Sequence, residues 1–342
     1  MKHLTRIALI VCALPVAFAA CGVAKEVALS GRTMGTFYSI KLVAGYFQDL
    51  SGLKQKIEKR LEAVNRSMST YRPDSEISRF NLWPHENRPF QISGDFLRVM
   101  ATSAEIYRLS SGAWDATVDP LVNLWGFGRG GAAADIPTAE AIRRAAADVG
   151  FDQIRIDPQG FLIKRNPRVT LDLASIAKGY GVDALAELLK NAGFENFLVE
   201  IGGEVYAAGH KKDGSLWRVG GDTPQKDAPI DRVYKVISLT DRALATSGDY
   251  RNFIEMAGRR YSHVIDPRSG YPIANGIVSV SIEADTCTRA DGLATAVMVM
   301  GIGPGLALID RLDGGEGLIV ELTADGELVN HYSAGHKFVD IE

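Results

Sequence analysis

The feature that most constrains this 342-residue chain is the run Thr288-Arg289-Ala290-Asp291-Gly292-Leu293-Ala294-Thr295, which continues into Ala296-Val297-Met298-Val299-Met300-Gly301. It reads as a loop turning into a helix, and the helix is too apolar to lie on a surface. Other elements therefore have to cover it. Asp291 and Thr295 stand four apart, so a helix puts both on one face. A carboxylate in such surroundings is costly unless it is paired, hydrogen-bonded or bound to a metal. Two arrangements satisfy it. In one, Asp291 caps the helix and Thr295 bonds a backbone carbonyl. In the other, the two oxygens sit at a helix N-terminus that favours anions and hold a hard cation, which in turn holds a phosphate.

Composition is that of ordinary globular material, with 46% hydrophobic and 23% charged residues and a net charge of −3. There is room for one large domain or two small ones. No basic stripe with interleaved aromatics is present, so nucleic acid is not an expected partner. The start of the chain differs from the rest: Lys2, His3 and Arg6 precede the apolar run Ile7–Ala20, and Cys21 follows. This pattern reads as a secretory signal, too short for a comfortable membrane span. Ala17-Phe18-Ala19 fits an ordinary cleavage site, whereas Phe18-Ala19-Ala20-Cys21 resembles a bacterial lipobox with Phe in place of Leu. The Cys directly after the small pair favours the second. Residues 1–20 are then a lipoprotein signal peptide, Cys21 a lipidated mature N-terminus, 21–30 a tether, and 31–342 the functional domain. Several acyl chains give stable anchoring, so the expected location is the membrane surface facing the periplasm. Only Cys287 is left in the mature fold, which excludes a disulfide framework and a thiolate metal site. Burial is its expected state.

Periodicity divides the remainder. Strand character marks Thr36–Val43. Helical spacing of apolar residues marks Ser51–Asn65 (Leu53, Ile57, Leu61, Val64) and Ser93–Leu109 (Phe96, Val99, Met100, Ile106). Thr138–Val149 is a third helix, with Thr138 as its cap. Ile154–Asp157 and Phe161–Lys164 form a hairpin, and Arg168–Leu173 reads as a strand leading into a helix over Ile176–Asn191. Strands follow at Phe197–Ile201, Glu204–Gly209, Trp217–Gly221, Tyr234–Leu239, Tyr261–Ile265, Ile277–Ile282 and Gly317–Glu321. Helices and strands mix without regular βαβ alternation. The expected class is therefore α+β with a largely antiparallel sheet, not a doubly wound sheet.

The run Gly126-Phe127-Gly128-Arg129-Gly130-Gly131 is not a dinucleotide fingerprint. It lacks the immediate strand before and helix after that such a turn requires, so it reads as a surface loop. In Met68 to Ser78, Tyr71 suits stacking on a flat aromatic ligand, while Asp74 or Ser75 suits a helix cap. Gly112 to Pro120 carries Ala113, Trp114 and Asp115 in a small-residue loop. Leu171 to Gly179 puts Asp172 at a strand end and Ser175 near a helix start, a natural anion site or a plain N-cap. His263, in Tyr261 to Gly270, is the best candidate for proton chemistry, since a His near a carboxylate titrates near neutral pH. Asp266 either serves that His or merely shapes its Asp-Pro turn. His85, His210, His331 and His336 sit in polar segments without such an arrangement.

Taken together, these segments resemble the ApbE family, the FAD:protein FMN transferases. The resemblance is carried by Gly31-Arg32-Thr33-Met34-Gly35-Thr36, Ser69-Thr70-Tyr71-Arg72, Gly112 through Gly128, Leu171 through Gly179, Glu200 through Glu204, Ala245 through Tyr250, Ser262 through Gly270 and Ala290 through Gly301. These eight segments occur in order over about residues 31–335. The resemblance implies a tunnelling-fold-like architecture, FAD as substrate and Mg²⁺ on its pyrophosphate. It further implies attack by a target-protein Thr hydroxyl on the FMN-side phosphorus with release of AMP. Met34, Tyr71, Ala113, Trp114, Asp115, Asp172, Lys178 and Ser262 fall on flavin-nucleotide positions. Ser175, Thr288, Asp291 and Thr295 fall on metal positions, and His263 matches the His that assists deprotonation of the acceptor. A membrane redox complex is the expected source of that acceptor. An Mg²⁺-dependent FAD pyrophosphatase and a non-catalytic flavin-binding lipoprotein are the rival readings, because both need the same pocket.

Overall fold

The computed structural model describes residues 24–128, 131, 135–224, 233–249, 253–256 and 259–340. The expected signal peptide and Cys21 lie outside the described residues. An eight-stranded sheet forms the centre, in the order Lys25–Thr33, Thr36–Ala44, Phe197–Ile201, Glu204–Ala208, Arg242–Gly248, Ile277–Ala284, Glu316–Leu322 and Leu328–Tyr332. Every neighbouring pair is antiparallel, and helices are interspersed along the chain. The α+β expectation is met.

Both faces of the sheet are covered. Alternate residues along a strand point to opposite faces, and the Arg242–Gly248 strand shows this, with Ala243 and Ala245 towards the helices and Leu244 away from them. On the helical face, Leu53–Met68 and Ala177–Asn191 cover Ile40, Leu42, Phe197 and Val199. The apolar helix Cys287–Met300 lies on Val280, Ile282 and Ile319 and is itself covered by Gly94–Leu109. On the other face, Trp217, Ile237 and Leu239, from the strands Trp217–Asp222 and Val233–Leu239, pack on Ala207, Leu244, Leu318 and Val320. A register shift between Ile277 and Ser279 changes the phase of the central strand, so Ile277 and Val280 share the helical face and Val278 turns to the other.

Three local differences from the sequence expectations have physical causes. The segment expected as a tether is the edge strand Lys25–Thr33, with the alternate exposure of a half-covered strand. It closes on Thr36–Ala44 through Met34 (φ 48°) and Gly35 (φ 74°), the paired positive dihedrals of a two-residue hairpin. Residues 168–173 form no strand. Their backbone is satisfied from elsewhere: Leu171 N–H donates to the Asn81 side chain at 2.7 Å and Asp172 N–H to the Ala116 carbonyl at 2.7 Å. The expected strand 261–265 is broken into Arg259–Ser262 and Ile265–Asp266, leaving His263 in the interruption.

Candidate active site

The apolar helix begins at Cys287 with Thr286 as its cap, accepting from Arg289 N–H at 3.4 Å. Asp291 therefore lies inside the helix, and capping does not explain it. It is buried (3% exposed), and its Oδ2 accepts the backbone N–H of Gly179 at 2.9 Å. Gly179 is required at this crossing, because a Cβ there would collide with the Cys287 carbonyl and the Asp291 side chain. The two helices that carry Asp291 and Lys178 are thus locked together at the point where both meet the cavity.

That cavity has a volume of about 670 Å³, within the ~300–1,000 Å³ typical of small-molecule sites. Tyr71, Asp172, Ser175, Lys178, His263, Asp291 and Thr295 all line it. Tyr71 is 82% exposed and stands free to meet a ligand face. Asp172 forms a tight turn, its Oδ1 accepting from Ala174 N–H at 2.8 Å. Ser175 caps nothing; its hydroxyl accepts the Trp114 indole N–H at 3.0 Å. Thr295 and Ser247 hydroxyls are 2.9 Å apart. The Gly126-Phe127-Gly128 loop also lines the cavity, so its role is more than a surface connection. Arg129 and Gly130 lie outside the described residues.

The charge balance of the cavity is unequal. Lys178 pairs with Glu204, which is 2% exposed and lines the same space. Burial pushes the Glu204 carboxyl up, and nearby Asp291 adds to that effect. Burial likewise pushes Asp291 up, against the pull of Lys178 and the Gly179 N–H. Burial works against the Lys178 ammonium, yet Asp291 and Glu204 outweigh it and raise its pKa. Two buried carboxylates thus face one ammonium, and Glu204 Oε2 has no hydrogen-bond partner. A divalent cation fits that imbalance. Among the described residues, no three His, Cys, Asp or Glu side chains gather around one point. A metal here would take one carboxylate, hydroxyls and substrate oxygens, which is the habit of Mg²⁺.

Six predicted positions are not part of the cavity lining. Met34 sits in the hairpin turn, its side chain against Gly181. Ala113 and Trp114 are buried beneath the site, where Trp114 supports Ser175. Asp115 is a buried staple that accepts from the Thr117 backbone and hydroxyl and from Phe151 N–H; burial raises its pKa. Ser262 borders a separate cleft with Asp249 and Arg260. Thr288 lines a different groove, its hydroxyl donating to Asp183 at 2.5 Å. Sequence reasoning assigned no role to Glu204, Ser247 or Asp183. Glu204 was visible only as the end of the Glu200–Glu204 segment, and Asp183 carried no signal beyond its place in a helix.

His263 lines the cavity beside Phe127, ring centroids 6.3 Å apart. Asp266 shapes the turn: its carboxylate pairs with the Arg268 guanidinium at 2.9 Å, and its carbonyl accepts from Gly270. Asp249 is a carboxylate that interacts electrostatically with His263. Burial raises its pKa, while Arg260, Ser262 and His263 oppose the rise.

The ApbE family model matches residues 34–319 of this chain. The chain belongs to the ApbE family. The FAD:protein FMN transferase of Vibrio cholerae serotype O1 resembles this ApbE chain at 44% identity over 288 residues, 84% of this chain and 85% of that protein. The protein of the same description from Haemophilus influenzae is 38% identical over 342 residues, covering 97% of each. The solved structure of the flavin transferase ApbE from Vibrio cholerae matches this ApbE chain with a TM-score of 0.82 at 42% identity. It covers 91% of this chain and 98% of that one.

Proposed function

We propose that this chain transfers FMN from FAD to a Thr hydroxyl of a target protein and releases AMP. The observation that carries the reading is one cavity, in a chain of the ApbE family, that gathers Ser175, Lys178, Asp291 and Thr295 with His263. Ser175, Asp291 and Thr295 would hold Mg²⁺, which when bound neutralises charge on the pyrophosphate. Lys178 adds a fixed positive charge beside it. Tyr71 offers an aromatic face to the flavin ring. Phosphoryl-type transfer needs mainly positioning and charge neutralisation, which these residues supply. The acceptor oxygen forms a bond to the FMN-side phosphorus as the bond from that phosphorus to the bridging oxygen breaks. His263 takes the hydroxyl proton, and AMP leaves with the bridging oxygen.

The test is the mass of a Thr-bearing acceptor domain after incubation with the enzyme, FAD and Mg²⁺. A gain of one FMN is expected. FMN and AMP appearing equally fast without acceptor would identify water as the nucleophile and overturn the transfer reading. His263→Gln should lower transfer by about 10²–10⁴-fold, the usual worth of a general base, with FAD binding retained.

Lipidation at Cys21 and a position on the membrane facing the periplasm complete the proposal. They rest on the lipobox-like Phe18-Ala19-Ala20-Cys21. A subunit of a membrane redox complex is the acceptor that such a location favours. The mass of the N-terminal peptide from membrane-extracted protein tests the anchor.

A further inference from the structure

The first described strand places the start of the fold. Lys25 pairs with Ala44, so the chain enters the sheet directly beside the loop that follows Ala44. That loop carries Tyr46 and Phe47, 61% and 94% exposed, with ring centroids 5.2 Å apart in an edge-to-face arrangement. The turn is tied to the protein through Gln48: its N–H donates to the Gly45 carbonyl at 3.0 Å, its side chain accepts from Gly45 N–H at 3.2 Å and donates to the Gly193 carbonyl at 3.4 Å. The rings are presented outward on a turn that Gln48 anchors. Other exposed aromatics have different surroundings. Phe37 is covered by the Arg32 guanidinium, Tyr71 belongs to the cavity and Tyr271 packs near Trp125.

Cys21 precedes Lys25 by four residues, a reach of at most about 14 Å for an extended chain. A lipid on Cys21 therefore brings this end of the sheet to the bilayer surface. We propose that Tyr46 and Phe47 form a foot that seats in the membrane interface, where aromatic rings are favoured. The inference rests on the lipid-anchored reading above and adds an orientation to it. Tyr38 pairs with Ile201, whose partner across the next strand pair is the cavity residue Glu204. The cavity thus adjoins the part of the strand six residues from Ala44, about 20 Å along the strand at ~3.3 Å per residue. The foot and the anchor together keep the site near the bilayer, on the order of that distance from it, which is where an acceptor Thr must stand.

The test uses the full processed chain with Phe47→Cys carrying an environment-sensitive fluorophore, reconstituted into vesicles of phosphatidylethanolamine and phosphatidylglycerol. Cys287 is fully buried and an acylated Cys21 has no free thiol, so neither competes for label in the anchored protein. The same label at Leu82→Cys, a position 78% exposed on the protein surface, is the control. The label at 47 should shift to shorter wavelength and lose most of its fluorescence to spin-labelled acyl chains, while the label at 82 should not. The mass of the N-terminal peptide reports the anchor separately. An acylated N-terminus with equal quenching at 47 and 82 overturns the foot alone, and an unacylated N-terminus overturns the anchor and the foot together.

Discussion

Asp291 accepts the backbone N–H of Gly179 at 2.9 Å, a bond between residues 112 apart in the chain. It fixes the apolar helix against the helix that carries Lys178 and leaves the carboxylate buried at the cavity. Asp291→Asn keeps an acceptor for Gly179 and removes the charge. Mg²⁺-dependent FMN transfer should fall by more than about 100-fold, as when a group that supports transition-state charge is lost. Without Mg²⁺ the variant should melt no lower than the parent, because burial already disfavours the charged form. Acceptor mass gain and melting with and without Mg²⁺ measure both. Parental rates at ordinary Mg²⁺ would refute the metal role.

Trp114 acts through Ser175. Its indole N–H fixes the hydroxyl that would face the metal. Trp114→Phe keeps most of the buried ring volume and removes that donor. Mg²⁺ affinity should weaken by about 10–100-fold, the usual worth of an outer hydrogen bond to a metal ligand. Titration of Mg²⁺ into the FAD-loaded protein reads the change directly, and an unaltered midpoint would contradict it.

Thr288 is set apart from its neighbours on the helix. Its hydroxyl and backbone N–H, with the Cys287 N–H, satisfy the carboxylate of Asp183, whose pKa burial raises. Thr288→Val should cost about 1–3 kcal/mol of stability, the price of a buried acceptor left short of a donor. Mg²⁺ affinity should stay at the parental value, since the side chain lies outside the cavity. Denaturant unfolding and a Mg²⁺ titration of the same variant separate the two effects.

Lys164 is fully buried, its ammonium donating to the carbonyls of Asn81 and Pro167 at 3.2 Å each. Burial pushes it down to about 8 from 10.5. The folded state therefore binds fewer protons than the unfolded chain between those values. Stability should rise with pH across that window, by up to about 3 kcal/mol, and be flat below it. Lys164→Met should remove the rise. The comparison is the difference between the two proteins in denaturant unfolding at pH 7 and pH 10; equal slopes would sink the idea.

Much of the fold was legible because burial leaves a local period. The Leu53–Met68, Gly94–Leu109 and Ala177–Asn191 helices and most central strands agree with the periodic segments to within a few residues. One error lies where the backbone finds partners outside a ladder, and the sheet strands Arg242–Gly248 and Leu328–Tyr332 were not expected at all. Leu171 bonds Asn81, and the strand expected at 168–173 does not form. The alternation in Lys25–Thr33 was masked by its small and polar residues, and the tether expected over 21–30 overlaps a strand.

The sequence by itself determined that the helix from Cys287 to Met300 is internal, that Asp291 and Thr295 share its face, and that the chain resembles the ApbE family. Those facts are local or collinear, and they survive without knowing any contact. Only the tertiary structure decided which polar groups meet. It paired Lys178 with Glu204, put Trp114 behind Ser175 and turned Thr288 towards Asp183. The reason is physical: a period specifies which face of an element is buried, whereas the partner of a buried charge depends on how distant elements cross.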